Sequence, residues 1–584
     1  MTARVPAGPW ALLILLCGCL YGCASAGPSR PGAPSAEPAR EPTPPAAVAG
    51  ADSAGGRAAP VPRADSLPET PLSALPPPCP GLGSDSLVHL TVLATNDFHG
   101  ALESKTYPWA EAGRPVGGAA VVAAYIGRER AANPEGTLLL DGGDLMQGTA
   151  VSNLVQGESV IDFYNAVGYD AAAIGNHEFD WGIEVLERRM TQARFPWLSA
   201  NIVGAADAAR PRWAVPTALV RRKGLAIGIV GLTTRSTPST TLPVHVTGLR
   251  FTDLAGAVRT EAARLERAGA DLIVVVAHAG GTFNPDSNAF HGEIVNAMRG
   301  FPPSVDLVVS GHTHTLLDGE VNGIRLVQAR SRGTALGVVQ LWVDARTHDL
   351  ACSDAEVVTT YGDGVAPDST VAALVEGYEA RLDPLADRVI AEAAHPLTAD
   401  RRRESVLGDL VTDAQRAATG AQIALTNSGG IRAEIDAGPI RWREAYEVQP
   451  FDNRLYRLEL DGRTLLAALE NGASGEHGLV QVSGVRFTVD PHAQPGRRVR
   501  SPRLEDGRPV RLYATYSVTV NEFMFQGGDG YTMLADARLA ENTGITDLDA
   551  FVHHLQEGLP QPIRYELQGR IRFLEDVPAT RDAR

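Results

Sequence analysis

Cysteine is scarce in this sequence. The chain has 584 residues and five cysteines, and three of these lie within the first 23 residues. Only Cys79 and Cys352 remain for the rest of the chain. In an oxidising compartment these two can form one disulfide, and otherwise they stay two free thiols. Both outcomes are consistent with the sequence, because pairing depends on their separation in space.

Long apolar runs are missing as well. The run Trp10–Leu20 is too short to span a membrane, and no later stretch is longer and equally apolar, so the sequence predicts no transmembrane helix. Together with Arg4 before it, this run predicts an export signal at residues 1–23.

Two processing sites fit this signal. Leu20-Tyr21-Gly22-Cys23 resembles a bacterial lipobox, which would leave Cys23 as a lipid-anchored N-terminus. Ala24-Ser25-Ala26 is an alternative cleavage site that would release a soluble secreted protein. We favour the lipid anchor because a long tether follows, and we predict a bacterial periplasmic or cell-surface location.

Positive charge is in deficit, with 52 Lys and Arg against 68 Asp and Glu and a formal net charge of −16. This balance argues against a general binder of nucleic-acid polymers, which needs a basic surface. Nucleotides are still possible ligands, because bound metals and local arginines can create a positive potential despite the negative net charge.

The pattern of composition divides the chain. Residues 24–86 are rich in Pro, Ala, Gly and Ser with almost no aromatics, which predicts a disordered linker. Residues 87–360 alternate apolar strands with helical patterns, as is typical of an α/β domain. We predict a linker segment at 361–388 that contains a helix at Thr370–Arg388, capped by Asp368 or Ser369. A second domain at 389–574 and a disordered tail at 575–584 follow.

Five apolar runs of the first domain end close to residues that can bind a metal and beside a glycine. They are Val88–Ala94 before Asp97 and His99, Thr137–Leu140 before Asp144, Asp170–Ile174 before Asn176, Leu272–Ala277 before His278, and Val305–Val309 before His312 and His314. Sites in α/β sheets lie at the carboxyl ends of strands. Mixed oxygen and nitrogen donors suit a divalent metal, so the sequence predicts a metal site there.

Several motifs, in this order, resemble those of the calcineurin-like metallophosphoesterases and, more closely, the 5′-nucleotidase family. They are Asp97-Phe98-His99, Gly143-Asp144, Gly175-Asn176-His177-Glu178, His278 and Gly311-His312-Thr313-His314. The resemblance covers about residues 87–574. It implies an α/β fold with an N-terminal metallophosphoesterase β-sandwich flanked by helices, a linker helix, and a smaller α/β C-terminal nucleotide-recognition domain.

The resemblance also implies two divalent metal ions. Asp97, His99, Asp144 and His314 would hold one ion, and Asp144, Asn176, His278 and His312 the other, with Asp144 shared. Such mixed donor sets favour Zn²⁺, Mn²⁺ or Fe²⁺ over Mg²⁺ or Ca²⁺. The resemblance makes His177 a catalytic residue at the phosphoryl group or the leaving oxygen, and Asp180 would orient its imidazole.

The resemblance also implies that residues of the second domain bind the substrate. Arg432 follows two glycines, and Arg401 aligns with a phosphate-binding arginine of the family, although Arg402 and Arg403 stand beside it. Phe451 and Phe523 match two aromatics that sandwich the base. Asn427 and Asp529 would bind the base or the ribose hydroxyls. One departure is Asp409, where relatives often have Asn.

We therefore predict an exported enzyme that hydrolyses 5′-nucleotides to nucleoside and phosphate, with no obligate protein partner. Alternatives within this chemistry are a UDP-sugar hydrolase, a 2′,3′-cyclic-nucleotide phosphodiesterase and a sulfur-compound hydrolase. A rival of another class is a non-catalytic nucleotide-binding lipoprotein, against which the complete ligand set argues.

Overall fold

The computed structural model of the chain describes residues 71–74, 79, 86–107, 109–111, 113–382 and 386–576. The predicted export signal at 1–23, with its candidate anchor Cys23, most of the predicted linker at 24–86, and the tail from residue 577 lie outside the described residues. Within the described part of the chain, no helix combines the length and apolar character that crossing a bilayer requires. Cys79 and Cys352 form a disulfide, with their Cα atoms 5.7 Å apart.

The first domain contains two stacked six-stranded sheets with helices on their outer faces. Its strands are β1 Leu87–Thr95, β2 Thr137–Asp141, β3 Ala171–Ala173, β4 Trp197–Leu198, β5 Ile202–Gly204, β6 Thr217–Arg222, β7 Leu225–Thr233, β8 Leu249–Phe251, β9 Leu272–His278, β10 Gly281–Asn284, β11 Ala289–Gly292, β12 Leu307–Ser310, β13 Leu316–Val321, β14 Ile324–Ala329, β15 Ala335–Asp344 and β16 Leu350–Thr359. Its helices are α1 Ala119–Ala132, α2 Ala150–Asn153, α3 Glu158–Val167, α4 Ile183–Gln192, α5 Thr237–Thr240, α6 Leu254–Arg267, α7 Glu293–Met298 and α8 Ser369–Glu379.

One sheet has the strand order β16-β15-β1-β2-β3-β4, and the other has the order β13-β14-β12-β9-β7-β6. In the first sheet, β1 to β4 run parallel. In the second, β7, β9, β12 and β14 run parallel. The carboxyl ends of these parallel strands therefore lie at one edge of each sheet.

Side chains from both sheets fill the space between them. Leu90 and Val92 of β1 lie in one buried cluster with Ile227 and Ile229 of β7. Successive residues of a strand point to opposite faces, so Leu93 instead joins the cluster beneath the outer helices. Burial on both faces explains why these strands are continuous apolar runs rather than alternating ones. The predicted β-sandwich flanked by helices is confirmed.

The predicted linker helix is shorter than the sequence pattern suggested. The Asp368 side chain caps α8 by accepting hydrogen bonds from the backbone N–H groups of Thr370 and Val371. The helix ends at Glu379, because the proline at 384 lacks an N–H and its ring would clash with the carbonyl four residues earlier.

This helix packs on the first domain. Val371 and Val375 join the outer core of that domain. The Tyr378 hydroxyl donates a 2.6 Å hydrogen bond to Asp162 of α3. The segment joining the domains is thus anchored to the first of them.

The second domain is a smaller α/β unit, as predicted. Its strands are β17 Val389–Ala393, β18 Ile423–Thr426, β19 Gly438–Arg441, β20 Arg454–Asp461, β21 Gln481–Ser483, β22 Val485–Val489, β23 Val499–Leu504, β24 Thr515–Asn521, β25 Leu539–Thr546 and β26 Ile571–Phe573. Its helices are α9 Val406–Thr419, α10 Trp442–Val448, α11 Gly462–Gly472, α12 Glu522–Phe525 and α13 Asp547–His553. The main sheet has the order β21-β18-β24-β20-β25.

Polar and charged groups join the two domains. Lys105 forms an ion pair with Glu447. Arg443 of α10 lies 3.3 Å from Glu103. The Asn153 side chain donates a 3.3 Å hydrogen bond to the Pro450 carbonyl. These contacts bring the loop after α10 to the carboxyl edge of the first domain's strands.

Candidate active site between the two domains

The loops that follow the parallel strands of the first domain bring its predicted metal ligands together. Asp97, His99 and His314 form one group, and Asp144, His278 and His312 form another, with the donor atoms of each group within 4.8 Å of one another. The Asn176 side-chain oxygen lies 3.0 Å from His278 Nε2, beside the second group. All seven predicted ligands therefore converge.

The first cluster consists of Asp97, His99 and His314. His99 Nε2 and His314 Nε2 are 3.0 Å apart. Asp97 Oδ1 is 3.3 Å from His314 Nε2 and 4.0 Å from His99 Nε2. Asp97 and His99 are fully buried, whereas His314 borders the cavity described below.

The second cluster consists of Asp144, His278, His312 and the Asn176 amide oxygen. Asp144 Oδ2 lies 3.1 Å from His278 Nε2, which lies 3.2 Å from His312 Nδ1. The same carboxylate oxygen is 3.9 Å from His99 Nε2 of the first cluster. Asp144 thus stands between the clusters, as a shared ligand must.

The donor sets fit two divalent metal ions. Metal bonds of about 2.0–2.2 Å place neighbouring donor atoms about 3–4 Å apart, which is the spacing found here. His99 Nδ1 donates to the Gln147 carbonyl at 2.8 Å, and His278 Nδ1 donates to the Gly142 carbonyl at 3.0 Å. These bonds direct each Nε2 into its cluster, as is usual for metal-binding histidines.

The charges of these groups also suit metal binding. Burial, with His314 adding to it, keeps the pKa of His99 well below its usual value. Burial and then His278 lower the pKa of His312 to about 3. Burial opposes ionisation of Asp144, but the imidazoles of His278 and His177 hold its pKa well below the usual range. Neutral imidazoles and an ionised carboxylate are the forms that bind metals, and His99, His312 and Asp144 have them. Burial opposes protonation of His278, but Asp144 raises its pKa to about 10, so a metal ion must displace the His278 proton.

Backbone strain marks the same residues. Asp97, His99, Asp144, His312 and His314 have φ values of 49°, 51°, 58°, 81° and 56°. Non-glycine residues seldom adopt this left-handed conformation, and such strain clusters at functional sites. The strand-to-loop turns therefore fix the ligand directions at an energetic cost.

His177 lies beside these clusters with a carboxylate partner. Its Nδ1 is 2.7 Å from Oδ2 of Asp180, the residue expected to orient the imidazole. Burial favours the neutral imidazole, but Asp180 and Asp144 raise the pKa of His177. Its backbone N–H donates a 2.8 Å hydrogen bond to Oδ1 of Asp144, one of the predicted metal ligands.

The second domain closes over the clusters and leaves a cavity of about 450 Å³ between the domains. Every predicted substrate residue lines it: Arg401, Asn427, Arg432, Phe451, Phe523 and Asp529. The first domain contributes Asp144, Asn176, His177, Asp180, His312 and His314 to the wall, while Asp97, His99 and His278 are buried behind it.

The arginines of this cavity are close to each other and to the acidic groups. Burial, with Arg401 and Arg332 nearby, lowers the pKa of Arg432 to about 10. It therefore remains charged at neutral pH. Arg401 and Arg402 both line the cavity, whereas Arg403 pairs with Asp576 at 2.6 Å. Of the three consecutive arginines 401–403, Arg403 therefore forms a pair elsewhere, whereas Arg401 and Arg402 line the cavity.

The remaining substrate residues form a connected polar group. The Asn427 side chain donates to Asp529 Oδ2 at 2.8 Å, and its own oxygen accepts from Asn521 at 3.0 Å. Asp529 has a φ of 49°, and burial raises its pKa. Asn427 and Asp529 thus enter the cavity wall as one hydrogen-bonded pair, which Asn521 supports.

Three features of the site were not predicted. Glu178 is buried and accepts backbone hydrogen bonds from Asp144, Leu145 and Gly175 at 2.7–2.9 Å, which joins two ligand loops. The sequence signal that could have indicated this role is the position of Glu178 in the motif Gly175-Asn176-His177-Glu178, directly after His177. Glu476 and His477 line the cavity from a glycine-bounded loop, and Thr241 lines it from the first domain.

Comparison with known proteins agrees with this geometry. Residues 90–316 match the calcineurin-like phosphoesterase family, and residues 389–536 match the 5′-nucleotidase C-terminal domain. The solved structure of a 5′-nucleotidase precursor from Thermus thermophilus is 33% identical, covers 84% of this chain and 100% of its own, and superposes with a TM-score of 0.76.

Curated relatives give the same result. The 5′-nucleotidase of Bos taurus is 29% identical over an alignment of 547 positions, and the match covers 83% of this chain and 91% of the relative. Endonuclease YhcR of Bacillus subtilis is 30% identical over 84% of this chain, but this chain spans only 41% of YhcR. Because both parts of the chain match and a solved relative is covered over its whole length, the chain belongs to the 5′-nucleotidase family of metal-dependent phosphoester hydrolases.

Proposed function

We propose that this protein is an exported two-metal phosphohydrolase that cleaves 5′-nucleotides to nucleoside and phosphate. One observation carries the proposal: the two metal clusters, the arginines and the phenylalanines, which come from different domains, face the same cavity. A phosphate beside the metals and a base beside the aromatics would both be accommodated there.

The metal ligands we propose are Asp97, His99, Asp144 and His314 for one ion and Asp144, Asn176, His278 and His312 for the other. When bound, two divalent cations activate a water molecule and neutralise charge on the phosphoryl oxygens. The nitrogen-rich donor sets favour Zn²⁺, Mn²⁺ or Fe²⁺.

Residues of this chain would bind the phosphate, donate the proton and recognise the nucleoside. Arg432 and Arg401 bind the phosphoryl oxygens, since a guanidinium can donate to two oxygens at once. His177, held by Asp180, donates a proton or hydrogen bond to the phosphoryl group or the leaving 5′-oxygen. Phe451 and Phe523 stack on the base, and Asn427 and Asp529 bind the base or the ribose hydroxyls.

Export is part of the proposal. The Cys79–Cys352 disulfide suits an oxidising compartment, which agrees with the signal-like residues 1–23. The Thermus relative is described as a precursor. We propose a periplasmic or cell-surface enzyme, with a lipid anchor at Cys23.

A substrate panel in which chromatography identifies every product tests the function, because first hydrolysis of UDP-glucose or of a cyclic nucleotide gives phosphomonoesters and not free phosphate. Nucleoside mono-, di- and triphosphates, UDP-glucose and 2′,3′-cyclic nucleotides would be compared, each with Zn²⁺, Mn²⁺, Fe²⁺ and Mg²⁺. We expect 5′-mononucleotides to have the highest kcat/KM, and the Asp144→Asn variant serves as the control for contaminating phosphatases. A higher kcat/KM for UDP-glucose or a cyclic nucleotide would overturn the substrate assignment.

A further inference from the structure

The segment from Thr237 to Thr241 lies beside the metal clusters but supplies no predicted ligand. It contains the short helix α5, whose Thr237 is buried and donates through its hydroxyl to the Thr234 carbonyl at 2.7 Å. Thr241 follows the helix, is 2% exposed, and has its backbone N–H bonded to the Thr237 carbonyl at 3.1 Å. The segment is therefore held firmly in place.

Thr241 contacts the carboxylate that holds His177. Its hydroxyl donates a 2.8 Å hydrogen bond to Asp180 Oδ1, while Asp180 Oδ2 lies 2.7 Å from His177 Nδ1. With both oxygens occupied, the carboxylate cannot rotate without breaking a hydrogen bond. The direction of the His177 ring is thereby fixed through Asp180.

The preceding residue contacts a metal ligand. The Thr240 carbonyl accepts a 3.1 Å hydrogen bond from the Asn176 side-chain nitrogen. This bond turns the Asn176 oxygen towards His278 and the second cluster. Helix α5 also packs against the turn Gly528–Gly530 of the second domain, which carries Asp529. One segment thus touches the proton-donor pair, a metal ligand and the substrate domain.

We propose that Thr241 is a positioning residue for the hydrolytic reaction, which acts through Asp180 to hold His177 towards the leaving group. The inference rests on the proposed phosphoester hydrolysis. A threonine serving only as packing would be replaced equally well by valine, which has nearly the same shape but no hydroxyl. A residue acting through its hydroxyl would instead be replaced by serine.

The test compares Thr241→Val with Thr241→Ser. We expect Thr241→Val to lower kcat by about 10–100-fold, the scale of one hydrogen bond to a charged group, with KM and metal content unchanged. Thr241→Ser should retain most of the activity. Thr247→Val is the matched control, because Thr247 is exposed and its hydroxyl donates to the Pro243 carbonyl at 3.2 Å. In an Asp180→Asn background, Thr241→Val should add little further loss.

A second readout separates this inference from the substrate assignment. Kinetics would be measured on whichever phosphoester the wild type cleaves fastest, so failure with nucleotides alone leaves the comparison intact. NMR of ¹⁵N-histidine-labelled protein follows the His177 Nδ1 proton without turnover, with His177→Asn for assignment. We expect its exchange with water to accelerate about tenfold in Thr241→Val but not in Thr241→Ser. Unchanged exchange and kcat in Thr241→Val, or equal losses in both variants, would overturn the inference.

Discussion

The ring of Phe451, from the second domain, lies against the ring of His177, from the first, with centroids 5.8 Å apart and planes inclined by 23°. The Arg432 guanidinium lies 5.7 Å from the centre of the same phenylalanine ring. Phe451 therefore contacts both the proposed proton donor and a proposed phosphate-binding arginine. The predicted base-recognition and catalytic groups meet only because the two domains are packed together.

Asp144 is the residue on which both metals should depend. We expect Asp144→Asn to abolish turnover and to reduce the content of both metals, because one carboxylate stands between the two clusters. Elemental analysis of the purified variant gives the metal content. Asp318→Asn controls for an effect of the Asp-to-Asn change itself, because the Asp318 carboxylate on strand β13 pairs with Arg325 at 3.6 Å. Two retained metals and near-normal turnover would remove Asp144 from the shared position.

His177 should affect the chemical step and not the metals. We expect His177→Asn to lower kcat by roughly 10²–10⁴, the usual scale for a positioned proton donor, with both metals retained. His348→Asn is the matched control, since His348 also pairs with a carboxylate, Asp271, at 2.8 Å but lies outside the cavity. Loss of metal from His177→Asn would make His177 a ligand instead.

The ion pairs between the domains should influence catalysis without touching the substrate. Lys105→Met removes the partner of Glu447, and Arg443→Met removes the partner of Glu103. Partly exposed pairs contribute up to about 1 kcal/mol each, so the double variant should lower kcat/KM measurably, by up to about 30-fold. Small-angle scattering would show whether the domains separate. A compact particle with unchanged kcat/KM would mean that these pairs are dispensable for closure.

Asp409 should make stability depend on pH. Burial raises its pKa to about 8, against the opposing effect of Arg570 and with Glu404 adding to the increase. An unfolded aspartate has a pKa of about 3.9. Between these values the folded state binds more protons than the unfolded state, so the contribution of Asp409 to stability is full below pH 4 and is lost as the pH rises through about 8.

Asp409→Asn removes this titration. Its Tm relative to the wild type should therefore rise between pH 5 and pH 9, by about 2–4 °C for each kcal/mol regained. Scanning calorimetry at both pH values measures the change, and the exposed Asp286→Asn is the control. A Tm difference that stays constant with pH would contradict the buried, protonated state.

The metal clusters could be predicted because their signals are local. Each ligand follows an apolar strand, and parallel strands must end at the same edge, so the sequence alone predicts that Asp97 and Asp144 lie together. The length of α8 was overestimated, because its apolar spacing continues to Leu382 while Pro384 prevents the helix from continuing.

Other features depend on contacts between residues that are far apart in the sequence. Thr241 is 61 residues from Asp180, and no local pattern marks a threonine whose hydroxyl meets a remote carboxylate. His477 lies near Asp529 only because two loops of the second domain fold together, with 3.7 Å between His477 Nδ1 and Asp529 Oδ1. The Cys79–Cys352 pairing likewise required the fold, since 273 residues separate the two cysteines.

The most direct test of nucleotide recognition compares AMP with ribose 5-phosphate, which shares the reacting phosphate and sugar but lacks the base. Phe451→Ala combined with Phe523→Ala should lower kcat/KM for AMP by the loss of two stacking faces, each worth roughly 1–3 kcal/mol. Phe525→Ala is the matched control, because Phe525 shares helix α12 with Phe523 but stacks on Tyr456. We predict a large fall for AMP and little change for ribose 5-phosphate, so that the wild-type preference for the nucleotide disappears. An equal fall for both esters would contradict a base clamp and make the two phenylalanines structural.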